Sequence, residues 1–296
     1  MTSWIQVPEE TEIPVGERPA YLLRSEFELE KIPTGAKLVI TAQGIYTAFL
    51  NGQRVGRDEL TPGYTDYGKR IQRQEYDVTN LLVKGSNAIA VELADGWFRG
   101  AVGITQQPNQ YGDRVALFAS IADESGRELV ATDEHWKVGR TSILKADLFQ
   151  GQHQDLRLQD RAAYYAGYVD HGWSSPVCIE VQAEVFTQAV EPTQVVEYLR
   201  PKSITQLGLG VQVVDFGQNS NGWVRLSKLG PRGTKVTITH GEWLDANGDV
   251  TLDHLNVRFP GMPPVDCKQI NSVISDGDPD SVFEPRYTTH GFQFVR

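Results

Sequence analysis

The stretch that decides the fold class runs from Lys37 to Val55 and reads KLVITAQGIYTAFLNGQRV. Leu38, Ile40 and Ala42 alternate with Lys37, Val39 and Thr41, and Ile45, Thr47 and Phe49 follow after Gly44. A period of two is the mark of a strand, because successive side chains leave opposite faces of the pleat. Asn51-Gly52 then supplies a tight turn before Val55; both residue types tolerate positive φ, which two-residue hairpin turns require.

The same pattern recurs outward. Ile89, Val91 and Leu93 alternate with Ala88, Ala90 and Glu92 and stop at Asp95-Gly96. Val115, Leu117, Ala119 and Ile121 alternate again, and Asp123-Glu-Ser-Gly126 turns that run back into Glu128 to Thr132. Val236, Ile238 and His240 oppose Lys235, Thr237 and Thr239, with Asn247-Gly248 as the next turn. Helical signals are short. Asp77 to Leu82 reads as one turn capped by Asp77 or Thr79, and Asp160 to Gly167 as two turns capped by Asp160. Many short strands with turn signals about every 8–12 residues predict an all-β chain of two antiparallel sandwiches in series. A chain of 296 residues has room for two such cores. The expected division is an N-terminal extension over 1–21, a jelly-roll sandwich over 22–190 and a concanavalin-like sandwich over 191–296. The boundary falls in Val185 to Pro201, where alternation weakens.

Composition excludes several partners. Lys and Arg number 28 against 38 Asp and Glu, a net charge of −10, and no basic run offers a face to nucleic acid. The two cysteines, Cys178 and Cys267, lack the spacing of a zinc site or a disulfide framework. The start, MTSWIQVPEE, has no basic or apolar leader, and no run is long enough to span a membrane. The expectation is a reduced, cytoplasmic protein.

Several ordered motifs carry a resemblance. Leu50-Asn-Gly-Gln-Arg-Val-Gly56 precedes Leu60-Thr-Pro-Gly-Tyr-Thr-Asp-Tyr67; Tyr76-Asp-Val-Thr-Asn-Leu-Leu82, Asp95-Gly-Trp-Phe-Arg-Gly100 and Thr132-Asp-Glu-His-Trp-Lys137 follow. Further on stand Asp215-Phe-Gly-Gln-Asn219, Gly222-Trp-Val-Arg225, His240-Gly-Glu-Trp-Leu-Asp245 and Phe283-Glu-Pro-Arg-Tyr-Thr-Thr-His-Gly-Phe292. Over roughly residues 22–296 the chain resembles the bacterial α-L-rhamnosidases. Two segments depart from that family: Gly151 to Arg157 (GQHQDLR) and Phe259 to Ile274 (FPGMPPVDCKQINSVI).

The resemblance implies hydrolysis of terminal α-L-rhamnosides, with inversion, by acids on a helical (α/α)6 barrel that follows the second sandwich. Since Arg296 falls in the last strand of that sandwich, no catalytic carboxylate carries over. The expectation is a scaffolding and sugar-binding region. Its partners would be rhamnose-containing carbohydrate and either the catalytic domain or a second copy, docked on apolar surface around His290 to Val295. The alternatives are a stand-alone hydrolase with a carboxylate pair on a sandwich face, and a ligand-free structural module.

Candidate site residues follow from sugar chemistry. An aromatic ring packs on a pyranose C–H face while amides and charged groups fix its hydroxyls. Trp97 and Arg99, on the Gly-flanked turn DGWFRG, suit that role; core packing and a local ion pair are their plain alternatives. Asn51, Asp58 and Glu59 form a polar turn region, and the resemblance implies a calcium ion there, for which carboxylates are the fitting ligands. A solvated acidic turn would look the same, and Asn51 also suits turn chemistry alone. Asp276-Gly-Asp-Pro-Asp280 lacks the full spacing of a calcium loop. Glu75-x-Asp77 opens a strand-borne acid pattern without its final Glu, and Asp77 reads as a cap. Trp223 and Trp243 read as packing residues, and His290 as a junction residue.

Overall fold

The computed structural model describes residues 2–9, 12–103, 105–261 and 264–296. Parts of the N-terminal extension and of the departing 259–274 segment lie outside these residues.

Two facing sheets build the first sandwich. One runs, in spatial order, through Val177–Ile179, Trp4–Gln6, Ala116–Asp123, Ala36–Gln43, Arg70–Asp77 and Glu184–Thr187, with Glu128–Ala131 beside Ala116–Asp123. The other runs through Lys137–Arg140, Tyr21–Leu29, Gly85–Ala94, Ile45–Leu50 and Gln53–Arg54. Alternation explains the first sheet: Leu38, Ile40, Leu117 and Ile121 turn inward onto Leu23, Leu50 and Val91 of the second. The second sheet departs from simple alternation. Tyr46, Ala48 and Leu50 face the main core, yet Ile45 is also fully buried. Its outer face is covered too, by Tyr287 and Leu148 at one end and by the 163–173 segment against Leu22 and Ala90 at the other.

A single seven-stranded sheet dominates the later region. Its order is Ile143–Asp147, Gly151–Asp155, Ile270–Ile274, Lys235–Gly241, His290–Val295, Val211–Gly222 and Ser203–Gly208. The short ribbon of Leu226–Ser227 with Val282–Phe283 closes over it, burying Phe283, Val273, Phe292 and Ile238 between them.

Three features differ from the sequence expectation. The extension is not separate, because Trp4–Gln6 lies inside the first sheet, paired with Ala116–Leu117 and Val177–Ile179. The pair Ile143–Asp147 and Gly151–Asp155, numbered within 22–190, belongs to the later sheet. Pairing is also not wholly antiparallel: His153–Asp155 runs parallel to Ser272–Ile274, and Glu184–Thr187 runs parallel to Arg70–Arg73. Both parallel pairs join strands far apart in the chain, where no hairpin dictates direction. The two helical elements expected from sequence are single 3-10 turns, Thr79–Leu81 and Arg161–Tyr164. Asp77 Oδ1 accepts from Thr79 N at 2.9 Å, and Asp160 caps the second turn by accepting from Ala162 N at 3.0 Å.

Gly151 starts the strand that interlocks the two regions. It has φ +118°, and a Cβ there would lie 1.9 Å from the carbonyl oxygen of Ile270. Gly151→Ala is therefore expected to destabilise the protein by about 3 kcal/mol or more, read as a lower urea midpoint with unchanged slope.

Candidate carbohydrate-binding site

A cavity of about 510 Å³ lies on the flank of the second sheet. Its wall is aromatic: Tyr21, Tyr164, Tyr168 and Trp173 line it together with Arg140, Ser142, Gln159 and Asp160. Arg24, buried on the Tyr21–Leu29 strand, holds the outer wall in place. Its Nε donates to Ala163 O at 3.1 Å, its Nη2 to Tyr165 O at 3.0 Å, and its Nη1 to Asp170 at 3.4 Å. The same guanidinium lies 5.3 Å from the centre of the Tyr168 ring. Trp173 packs edge-on to Tyr168, with ring centres 5.7 Å apart. The lack of a side chain on Gly139 lets the indole lie directly on the strand, since a Cβ there would come within 2.4 Å of it.

Behind this cavity sits a buried charge cluster. Tyr21 donates its hydroxyl to Glu9, and Glu9 accepts from Arg99 Nη2 at 2.8 Å and from Nη1 at 3.0 Å. Arg99 Nε donates to Asp95, which also accepts from Arg18 at 3.2 Å. Burial by itself would raise the Glu9 carboxyl, but hydrogen bonds from Arg99 and Tyr21 outweigh it and hold the group below its ordinary value.

The expected site residues do not converge on one place. Arg99 is fully buried and committed to Glu9 and Asp95, so its guanidinium is not presented to a ligand. Trp97, beside it, is half-buried on the short helical turn Gly96–Arg99. Trp97 lies 6.4 Å from Tyr64, which is 56% exposed, and the Tyr64 and Tyr111 hydroxyls bond at 3.0 Å. Asn51 occupies the hairpin turn at φ +51° and fastens it: Nδ2 donates to Leu81 O and Asn87 Oδ1, and Oδ1 accepts from Ala88 N.

The calcium expectation at Asp58 and Glu59 does not fit their surroundings. Both Glu59 oxygens accept from Arg54 at 2.8 Å, and Arg286 approaches to 3.1 Å. Two guanidinium groups already neutralise that carboxylate and would repel a cation. Asp58 accepts from Tyr76 OH and Gln194, each at 2.9 Å. Among the described residues no three acidic, His or Cys side chains gather as a metal site. The 276–280 acids instead cap one another's turns: Asp276 accepts from Asp278 N and Asp278 from Asp280 N. Glu75 and Asp77 are both held below the usual carboxylate range, Glu75 chiefly by Lys37 and Asp77 by Thr79.

Residues that sequence reasoning missed are the cavity wall itself. Tyr164, Tyr168 and Trp173 sit in a turn-rich segment without periodicity; the only signal was the density of aromatics between Tyr164 and Trp173. His290 is buried, with Nε2 bonded to Thr288 Oγ1 at 3.1 Å, and its ring lies 4.5 Å from that of His240. Phe292 and Val295 are buried as well, so the expected apolar surface around 290–295 faces the core. Trp223 donates to Glu284 at 3.3 Å, whereas Trp243 is 65% exposed.

Two β-sheet units interlocked by a shared strand pair define the class, a tandem β-sandwich chain. Residues 31–197 match the α-L-rhamnosidase N-terminal domain, and residues 205–296 match the bacterial α-L-rhamnosidase concanavalin-like domain. The chain belongs to the bacterial α-L-rhamnosidase family. An α-L-rhamnosidase of Streptomyces avermitilis is 37% identical over 92% of this chain and 26% of its own length. One of Alteromonas is 28% identical over 94% of this chain and 30% of its own length. The crystal structure of the Streptomyces avermitilis α-L-rhamnosidase complexed with L-rhamnose superposes with a TM-score of 0.86 at 35% identity, covering 94% of this chain and 26% of that one. That of the Aspergillus terreus α-L-rhamnosidase gives 0.91 at 28% identity over 100% of this chain and 34% of that one. The chain thus spans about a quarter to a third of the relatives' length.

Glu9 gives the site a defined acid response. A carboxyl held low in the folded state contributes stability above its ordinary value of 4.5, and that contribution is lost as pH falls through the lower folded value. Melting temperature is therefore expected to drop as pH is lowered below 4.5. Glu9→Gln should lower the melting temperature at neutral pH and flatten that acid slope. Arg99→Met, which strips Glu9 of its two-bond partner and leaves Asp95 to Arg18 alone, should cost about 3–5 kcal/mol in urea unfolding.

Proposed function

We propose that this chain is a non-catalytic, carbohydrate-binding and scaffolding region of an α-L-rhamnosidase. In this reading the 510 Å³ cavity receives a neutral rhamnose-containing saccharide. The observation that carries the proposal is the cavity's chemistry. Trp173 and Tyr168 offer flat apolar faces to ring C–H groups, while Asp160, Gln159, Ser142 and Arg140 offer acceptors and donors for hydroxyls. Its volume lies within the range of about 300–1,000 Å³ usual for small-molecule sites. Hydrolysis of terminal α-L-rhamnosides is the proposed activity of the whole protein to which such a region contributes.

The remaining partners and the compartment belong to the same proposal. Val196, Tyr198, Ile204, Leu209 and Trp243 are exposed apolar side chains, the first four within positions 196–209, on and beside the Ser203–Gly208 edge strand. They suit docking of a further domain or of a second copy. Both cysteines are free, which supports a reducing cytoplasmic setting. No helix among the described residues is long and apolar enough to cross a membrane.

A second reading places the sugar on the patch around Trp97, favoured by the exposure of Tyr64. Calorimetry separates the two. L-Rhamnose should bind the chain, with Trp173→Ala weakening it at least about fivefold through loss of a stacking face worth roughly 1 kcal/mol or more, and Trp97→Ala leaving it unchanged. The opposite pattern would move the site to Trp97. Absence of heat with both L-rhamnose and short rhamnosides would favour a purely structural region.

A further inference from the structure

We infer that the solvent face of the interlocking sheet carries a second saccharide site, selective for a carboxylate-bearing sugar such as a uronate. The inference rests on the carbohydrate reading above but concerns a different cavity and a different ligand charge. This cavity, of about 330 Å³, is lined by Lys145, Lys235, Lys268, His153, Ser272, Gln150, Ile270 and Glu17, among others.

Strand register explains the convergence. Lys145 pairs with His153, His153 with Ser272, and Ser272 with Thr237, so these four form one row across adjacent strands. Val236 and Ile238 turn into the core. Lys235 therefore projects to the same outer face as Thr237, two residues along the strand. Lys268 flanks the row on the approach to the Ile270–Ile274 strand.

The local charge opposes that of the chain. In a protein of net charge −10, three lysines border one small cavity. Among the described residues Glu17 is the only acid lining it, and it is taken by Lys145 at 2.7 Å. Among the described residues, neither Lys235 nor Lys268 forms an ion pair. Asp155, the other carboxylate close to His153, is held by Arg157 through two bonds of 2.9 and 2.7 Å. An incoming anion thus meets two uncompensated ammonium groups.

The rest of the lining favours a sugar acid over a bare inorganic anion. His153 Nδ1 and Ser272 Oγ are bonded at 2.6 Å, which leaves the imidazole Nε2 without a protein partner among the described residues. That nitrogen, the serine hydroxyl and the Gln150 amide suit ring hydroxyls. Ile270, 38% exposed, offers an apolar contact to C–H groups. A small inorganic anion would use the ammonium groups alone and leave the amide and isoleucine unused.

The test is titration of the full chain, isotopically labelled and at low ionic strength, with D-glucuronate, D-glucose and inorganic sulfate, followed by amide chemical shifts. D-Glucuronate should perturb the strands bearing His153 and Ser272 and release under added salt, because exposed charges are screened within about 10 Å at 0.1 M. D-Glucose should leave them unmoved. The double variant Lys235→Gln/Lys268→Gln removes only exposed side chains and should keep its melting temperature while binding D-glucuronate at least tenfold more weakly; Trp173→Ala should bind it normally. Equal affinity for sulfate would reduce the cavity to an inorganic-anion site and overturn the inference. So would equal binding of D-glucose, undiminished binding by a folded double variant, or no shift at His153 and Ser272. Since L-rhamnose binding is read separately at Trp173, failure here leaves the neutral-sugar reading standing, and failure there leaves this cavity to be judged on its own titration.

Discussion

Arg99 and its two carboxylates are the constraint on which the flank bearing the aromatic cavity depends. A guanidinium with no exposed surface is tolerable only when its charge is matched and its donors are used. Glu9 and Asp95 supply the charge, and Asp113 O accepts a further bond at 2.9 Å. Arg18 then balances the second carboxylate and donates to Arg99 O at 3.0 Å. The cluster ties the N-terminal segment, the Tyr21 strand and the Gly96–Arg99 turn together. Tyr21, fixed through Glu9, stands in the cavity wall with Arg140 4.9 Å above its ring. Arg99 thus serves the site by positioning rather than by contact.

A second constraint joins the two sandwiches. The hairpin from Ile143 to Asp155 leaves the first region and pairs in the later sheet, so neither unit completes its layers without the other. Glu92 strengthens the junction from the side. Its two oxygens accept from Tyr164 and from Tyr287, one hydroxyl from the aromatic cavity wall and one from the later region. Glu59 does the same between Arg54 and Arg286. Charges that resembled ligand groups in the linear sequence are spent on holding the units in register.

Legibility follows sequence distance. Strand alternation and turn chemistry are local, so the Lys37–Val55 hairpin, the Asp123–Gly126 turn and the Asp160 cap could be read directly, whereas the N-cap of the Thr79–Leu81 turn is Val78 rather than Asp77 or Thr79. The fold class came with them, and the ordered motifs added the family. Site residues failed where their meaning depended on distant partners: Arg99 on Glu9, 90 positions away, and Glu59 on Arg286, 227 away. Nothing local distinguishes a carboxylate aimed at a cation from one clasped by two arginines. Tyr164, Tyr168 and Trp173 escaped for another reason. Their segment has no periodicity, and its conformation is imposed from outside by Arg24. The three cavity lysines were equally silent, because only cross-strand register brings positions 145, 235 and 268 onto one face.

The chain from Val138 to His153 gives the two cavities a common frame. Val138 to Ser142 line the aromatic one, and Lys145 with Gln150 to His153 line the basic one. Lys145 follows Ser142 by three positions, at most about 10 Å of extended chain. Both ends of this segment are hydrogen-bonded into sheets, which fixes the spacing between the cavities. The distinguishing groups lie elsewhere: Trp173 and Tyr168 come from the loop pinned by Arg24, and Lys235 and Lys268 from the later strands. A shared rigid wall with independent opposite walls allows one cavity to change its ligand without disturbing the other. That arrangement makes Trp173 and the lysine pair separable by mutation, because neither belongs to the 138–153 segment that the two cavities share as a wall.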